Sequence, residues 1–199
     1  MKPEERKNHI LACAKKLFSK NGYYETQISD IIKEAGIARG TLYQYFKNKD
    51  AIYITLLENY YDKWLSAMEA WVKEIDFSTI THLEYMKGRI NRNLTFFAND
   101  QDLCSILLRV GLGLPAHLES MTRKFETRIL DVTINDIKIG IHSGNIKKDM
   151  NVELAANLLS GALLRAAYFY FGQHRKKSEH VDIKAATNEI TAIFSSGIF

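Results

Sequence analysis

The stretch "GIARGTLYQYFKNKD", Gly36 to Asp50, holds three aromatics, three cations and two glycines in fifteen positions. Between Arg39 and Phe46 there is room for about two helical turns. A helix that short is marginal alone, so its neighbours must hold it. Leu42 and Phe46, four apart, make an inward face. Upstream, Ile10, Leu11, Ala14, Leu17 and Phe18 recur at helical spacing over Glu4–Asn21, and Gly22 follows as a terminator. Thr26 is placed to N-cap a second helix whose apolar face is Ile28, Ile31, Ile32 and Ala35 and whose end is Gly36. Ile37 and Ala38 link it to the short third helix. Three short helices around one small core, with a glycine turn before the last, make a helix-turn-helix pattern.

The outward residues of the third helix suit a duplex groove. Gly40 permits close approach, and Thr41 offers a hydroxyl and a methyl group. Gln44 matches adenine, and Arg39 matches guanine or a phosphate. Tyr43 and Tyr45 present phenolic donors, although half-buried packing would explain both tyrosines equally simply. Lys49 adds its charge to the positive N-terminus of the helix that follows.

Charge is distributed accordingly. The chain of 199 residues carries +4. Residues 1–50 hold ten Lys/Arg and six Asp/Glu, and the rest of the chain holds seventeen of each. The excess is wholly N-terminal, as in a polyanion-binding module joined to a neutral one. A hydrophobic content of 46% and two prolines fit an all-α globular chain. Apolar runs such as Ala166–Phe171 are too short to cross a bilayer, and "MKPEERKNHI" lacks an apolar signal core, so no membrane role is expected. Cys13 and Cys104 lie far apart without a partner motif and read as reduced thiols in the cytoplasm. "NLT" at Asn93 matches a glycosylation sequon by chance.

A long helix is expected from Lys49 to Ile75, with Ile52, Leu56, Tyr60, Trp64 and Met68 inside. It leaves the basic module without a flexible linker, which places the division at residues 1–48 and 49–199. Five helices follow: Thr81–Asn99 (Leu83, Met86, Ile90, Leu94 and Phe97 inward), Gln101–Val110, Ala116–His142, Val152–Phe171 capped by Asn151, and Asp182–Ser195. Gly111, Gly113 and Pro115 break the chain, and a charged loop after Gly172 precedes the last helix. "GLG" at 111–113 follows no strand and is not a nucleotide loop. The six histidines (9, 82, 117, 142, 174, 180) are scattered. No metal spacing, cofactor loop, nucleophile elbow or carboxylate pair appears, so no enzyme, metal or cofactor is expected.

"GYYETQISDIIKEAGIARGTLYQYFKNKDAI", Gly22 to Ile52, resembles the DNA-binding region of TetR-type transcriptional regulators. The likeness rests on the Gly-Tyr entry, Thr26, Ile31, Ala35-Gly36, Gly40-Thr41-Leu42-Tyr43, Tyr45-Phe46 and Lys49. It covers about the first quarter of the chain. It implies that Thr26 contacts a phosphate, that Gln27 and Ser29 lie near the DNA, and that Arg39, Gly40, Thr41 and Gln44 face bases. Tyr43, Tyr45, Lys47 and Lys49 would bind phosphates. Ala38 departs from the usual capping Ser or Thr, a loss of about 1 kcal/mol. Ile32 replaces a common Ala, and Ser29 replaces a frequent long basic side chain, which puts base reading from the second helix in doubt.

One such module makes few contacts. A symmetric dimer would double them, with half-sites about 34–36 Å apart. In Val152–Phe171 one stripe is Leu154, Leu158, Gly161, Ala162, Arg165 and Phe169. Another is Ala155, Leu159, Leu163, Ala166 and Tyr170. A helix apolar on two sides is buried on both, against its own domain and a partner, or within one thick monomer core. Ile190, Ile193 and Phe194 extend the surface in the four-helix interface that the resemblance implies. It also implies an effector cavity among the middle helices. Tyr85, Arg89, Asn93 and Phe96 on Thr81–Asn99 would line it, unless they form a solvated face. Leu107, Leu108, Phe125, Ile129 and Tyr168 would be its walls, unless they are ordinary core. The resulting expectation is a repressor that binds a palindromic double-stranded DNA operator as a homodimer. An apolar or aromatic small molecule would release it. The alternative is an architectural DNA binder with no effector.

Overall fold

The structure is a computed structural model that describes residues 2–108, 114–172 and 181–198. Among these, nine helices and no strand occur: α1 (Pro3–Asn21), α2 (Ile28–Ala35), α3 (Arg39–Tyr45), α4 (Lys49–Lys73), α5 (His82–Asn99), α6 (Gln101–Leu108), α7 (Ala116–His142), α8 (Val152–Phe171) and α9 (Ile183–Ile198). The expected glycine break at Gly111 and Gly113, the helix end at Val110, and the charged loop after Gly172 with His174 and His180 lie outside the described residues.

The expected all-α architecture is present, and helix ends follow local chemistry. Gly36 closes α2 at φ 62°, a left-handed conformation that costs a glycine little. Ala38 caps α3 without a side-chain bond, as its missing hydroxyl requires. Thr81 and Glu84 form a capping box at α5, and Asn151 accepts from Leu154 N at 3.0 Å at α8. Thr26 does not cap α2, whose N-cap is Gln27. The Thr26 side chain is buried and its hydroxyl donates to Gly22 O at 2.7 Å, tying the α1–α2 turn.

Leu42 and Phe46 are buried with Ile10, Leu11, Ala14, Phe18 and Ile31, and Ile52, Leu56, Tyr60, Trp64 and Met68 line the inner side of α4. One contiguous apolar core runs from Ile10 to Ala186. α4 starts at Lys49, and the core runs across that point from the first three helices into the rest of the chain. A salt bridge and a hydrogen bond add to this join: Lys15 Nζ donates to Asp100 at 2.8 Å, and Ser19 Oγ donates to Asp102 at 2.8 Å. Leu94 and Phe97 of α5 are inside, but Leu83, in its first turn, is exposed. Cys13 and Cys104 are free thiols.

By length and composition α8 is long enough and apolar enough to cross a bilayer, contrary to the expectation from shorter runs. Its apolar composition has another use here. Ala155, Ala156, Ser160, Leu163, Ala167 and Phe171 are buried inside the fold. Leu154, Leu158 and Phe169 are 57%, 60% and 65% exposed on the other side. One thick monomer core therefore does not describe this helix.

Candidate nucleic-acid interface and ligand cavity

Residues predicted to meet DNA fall into two groups. Gln27, Ser29, Arg39, Gly40, Tyr43, Gln44 and Lys47 are exposed on α2, α3 and the turn after it. The Arg39 guanidinium lies 5.7 Å from the Tyr43 ring centroid, so the two share one surface. Thr41 is half-buried beside them. A Cβ added at Gly40 would meet nothing within 4 Å, so no internal packing demands glycine there.

Three other residues serve the fold. Thr26 is buried, as described. Tyr45 is half-buried and packs against the core, whereas Tyr43 is exposed. Lys49 Nζ donates to Tyr23 O at 2.7 Å and to Thr26 O at 2.9 Å, and stands 4.2 Å from the Tyr23 ring centroid. Burial lowers its pKa. Its ammonium staples the α1–α2 turn to the start of α4, and a phosphate would have to displace those carbonyls.

Next to it lies a network that sequence reading missed. The Tyr23 hydroxyl donates to Asp50 Oδ1, and His117 Nε2 donates to Asp50 Oδ2 at 2.7 Å. The Tyr23 hydroxyl, and then His117, hold the Asp50 carboxyl below its ordinary value. His117 begins α7, so this carboxylate joins the DNA-side helices to the C-terminal half.

A cavity of about 360 Å³ opens between α4, α5, α7, α8 and α9. That is within the range of small-molecule sites. Of the predicted lining, Tyr85, Arg89, Asn93 and Ile129 border it. Phe96, Leu107, Leu108, Phe125 and Tyr168 do not. Phe125 packs against Tyr61 and Trp64 at 5.2 and 5.1 Å, Phe96 against Tyr60 at 4.8 Å, and Leu107 is core. Tyr168 lies under the Arg165 guanidinium at 5.4 Å. Ile190 and Phe194, predicted for the dimer surface, line the cavity, where α9 packs on α5. Ile193 faces outward with Leu154, Leu158, Gly161, Arg165 and Phe169, and Ala162 is half-buried.

Among the lining residues the sequence reading lacked, Asp136 carries the charge paired inside the wall. It is 4% exposed; its Oδ2 accepts from Arg89 Nε at 2.9 Å and its Oδ1 from the Tyr85 hydroxyl at 3.1 Å. Burial pushes its pKa up, and burial takes the Tyr85 phenol to about 12. The signal was an acidic residue in register with Ile129, Val132 and Thr133 on the inward face of α7. Tyr85 in turn stacks on Trp71, with ring centroids 5.5 Å apart.

A family model described as bacterial regulatory proteins, tetR family, matches residues 10–56. The HTH-type transcriptional regulator QacR of Staphylococcus aureus is 40% identical over 207 residues, covering 96% of this chain and 97% of that protein. The fatty acid metabolism regulator protein of Bacillus subtilis is 29% identical over 193 residues, covering 95% and 93%. Among solved structures, FadR from Bacillus subtilis in complex with stearoyl-CoA superposes with a TM-score of 0.78 at 27% identity, covering 96% of this chain and 99% of that one. FadR from Bacillus halodurans, at 21% identity, shares the fold with a TM-score of 0.77.

Proposed function

From the premise that the chain belongs to the tetR family of bacterial regulatory proteins, we propose that this transcriptional regulator is a repressor that holds a palindromic operator as a homodimer and lets it go when an apolar-chain small molecule fills the cavity. The observation that carries the reading is the course of α4. It starts at Lys49 beside the exposed face of α3 and reaches the cavity with Trp64, Leu65, Met68, Glu69, Val72 and Lys73. Its 25 residues span about 37 Å at 1.5 Å each. A ligand that favours a different tilt of this rod displaces α3, by no more free energy than its preference for the tilted state.

On this reading Arg39, Gly40, Thr41 and Gln44 meet base edges in the cytoplasm, and Tyr43 and Lys47 meet phosphates, with Gln27 and Ser29 close by. Thr26 and Lys49 hold the module's shape. The exposed stripe of α8, with Ile193 of α9, pairs two copies. Gly161 stands on that stripe with nothing within 4 Å of an added Cβ, which suits close approach of a partner helix. An apolar chain in the cavity accords with the stearoyl-CoA held by the relative from Bacillus subtilis. An architectural DNA binder has no use for the cavity.

Leu158→Glu tests the assembly. A carboxylate in the centre of the pairing stripe should give a folded monomer by light scattering and weaken operator binding about 100-fold or more in a gel shift. A variant that stays dimeric with unchanged DNA binding refutes the pairing surface.

A further inference from the structure

Several of the buried polar groups in the cavity wall already hold partners inside the fold. Asn93 Oδ1 accepts from Trp64 Nε1 at 2.9 Å and its Nδ2 donates to Arg89 O at 2.9 Å. Thr133 donates to Ile129 O at 2.7 Å, and Ser160 donates to Ala156 O at 2.6 Å. Thr133 and Ser160 have spent their hydroxyl donors, and Asn93 keeps one N–H. Asp136 is spoken for on both oxygens, by Arg89 and Tyr85.

Arg89 is different. Its Nε is committed to Asp136, and the rest of its five-donor guanidinium has no hydrogen-bond partner among the described residues. The side chain is 15% exposed and borders the cavity. Asp136 holds it at one edge, and the Tyr85 ring lies 5.7 Å from its central carbon. A donor group fixed in this way loses little freedom when it is used. Lys73 and Arg128 add charge at the exposed rim against Glu69, so the lining has three cations and two carboxylates.

We propose that Arg89 reads the head of the effector, an oxygen acceptor at the end of an apolar chain, either a free carboxylate or an acyl thioester carbonyl. This rests on the cavity being the effector site. The chain lies along Leu65, Met68, Ile90, Val132 and Leu163, and the head oxygen takes the unused guanidinium N–H groups while Asp136 keeps Nε. A guanidinium bridges two acceptors in this manner without breaking either contact. A cationic head is repelled by Arg89 wherever it approaches Asp136, and an alcohol oxygen is a weaker acceptor than a carboxylate or a carbonyl.

The test is calorimetric titration of four probes below their micelle concentrations: dodecanoate, dodecanoyl-coenzyme A, 1-dodecanol and dodecyltrimethylammonium. At least one of the two acyl probes should bind about tenfold or more tighter than the alcohol and the cation. Whichever acyl probe binds tighter names the source of the oxygen. Arg89→Met alone would strand the buried Asp136, so the deciding variant is the double change Arg89→Met, Asp136→Leu. Replacing both partners of a buried ion pair with apolar groups is commonly neutral to folding, which a thermal melt checks. The double variant should bind all four probes within about threefold of one another, while octanoate still binds it more weakly than dodecanoate. Arg89→Lys should retain part of the acyl preference. The proposal falls if the cation or the alcohol matches the acyl probes on the unaltered protein, or if the acyl preference survives the double change. If none of the four binds, the effector reading of the cavity falls with it, and the pairing and operator parts remain to be judged by Leu158→Glu.

Discussion

The outer face of α3 and the cavity wall beside α4 are both rich in polar side chains, yet they use them in opposite ways. On α3 and the turn after it, Arg39, Gln44 and Lys47 are exposed, while Leu42 and Phe46 are buried and Tyr45 packs against the core. In the cavity, Asn93, Thr133 and Ser160 turn their polar groups on neighbours within a few ångströms, and Asp136 is matched inside. A surface that reads a hydrated, polyanionic partner keeps its donors free. A pocket for an apolar chain must first silence its own, because each unpaired buried group costs about 1–3 kcal/mol.

The most damaging change that separates the two is Trp64→Ala. It empties a large core volume and strips Asn93 Oδ1 of its donor. A loss of about 3–5 kcal/mol is expected in denaturant unfolding. Because one core runs from Ile10 to Ala186, the amides of α1 to α3 should lose hydrogen-exchange protection together with those of α5 and α7. Protection retained by α1 to α3 alone would show that the two regions are separate cooperative units.

Smaller and purely functional are changes on α3, where nothing inside depends on the side chains removed. Gln44→Ala should cost about 1–3 kcal/mol of discrimination at one base pair and leave the melting temperature unchanged. Tyr43→Phe should weaken binding by a similar factor on every sequence, since a phosphate carries no base identity. Selection from random duplexes measures both, and a changed consensus with Tyr43→Phe would reverse the role given to it.

The same contrast explains what the sequence disclosed. The reading face is encoded within fifteen residues, where helix spacing and a glycine turn decide which side chains look out. Helix limits were legible for the same local reason, down to the Asn151 cap. Thr26 misled because a Thr before a helix suits a cap, whereas the Gly22 carbonyl four residues back claims its hydroxyl. The bonds of Lys49 were not legible because the carbonyls it binds belong to Tyr23 and Thr26, more than twenty positions upstream. The cavity is assembled from five helices spread over 131 positions, Trp64 to Phe194. Periodicity marks Ile190, Phe194, Phe96 and Phe125 as apolar-facing, but not which interior they face. Asp136 pairs with Arg89 across 47 positions, a distance no local pattern spans.

The smallest expected effect tests whether the two regions communicate at all. Asp50 accepts from Tyr23 on the DNA side and from His117 at the start of α7, the helix that also carries Ile129 and Asp136 into the cavity. Its carboxyl is held below the ordinary 3.8, by the Tyr23 hydroxyl first and His117 second. The stabilisation this represents is fully present above the ordinary value and is lost as pH falls through the lower native one. Asp50→Asn should therefore melt slightly lower than the unaltered protein at pH 6, and the gap should close only on the acid side of about pH 4. At neutral pH the variant should bind a cavity ligand as before, while more ligand is needed to release the operator, since the link between α7 and the reading module is what has been loosened. Unchanged release would assign the whole of the coupling to α4, and leave Asp50 as a local brace for Tyr23.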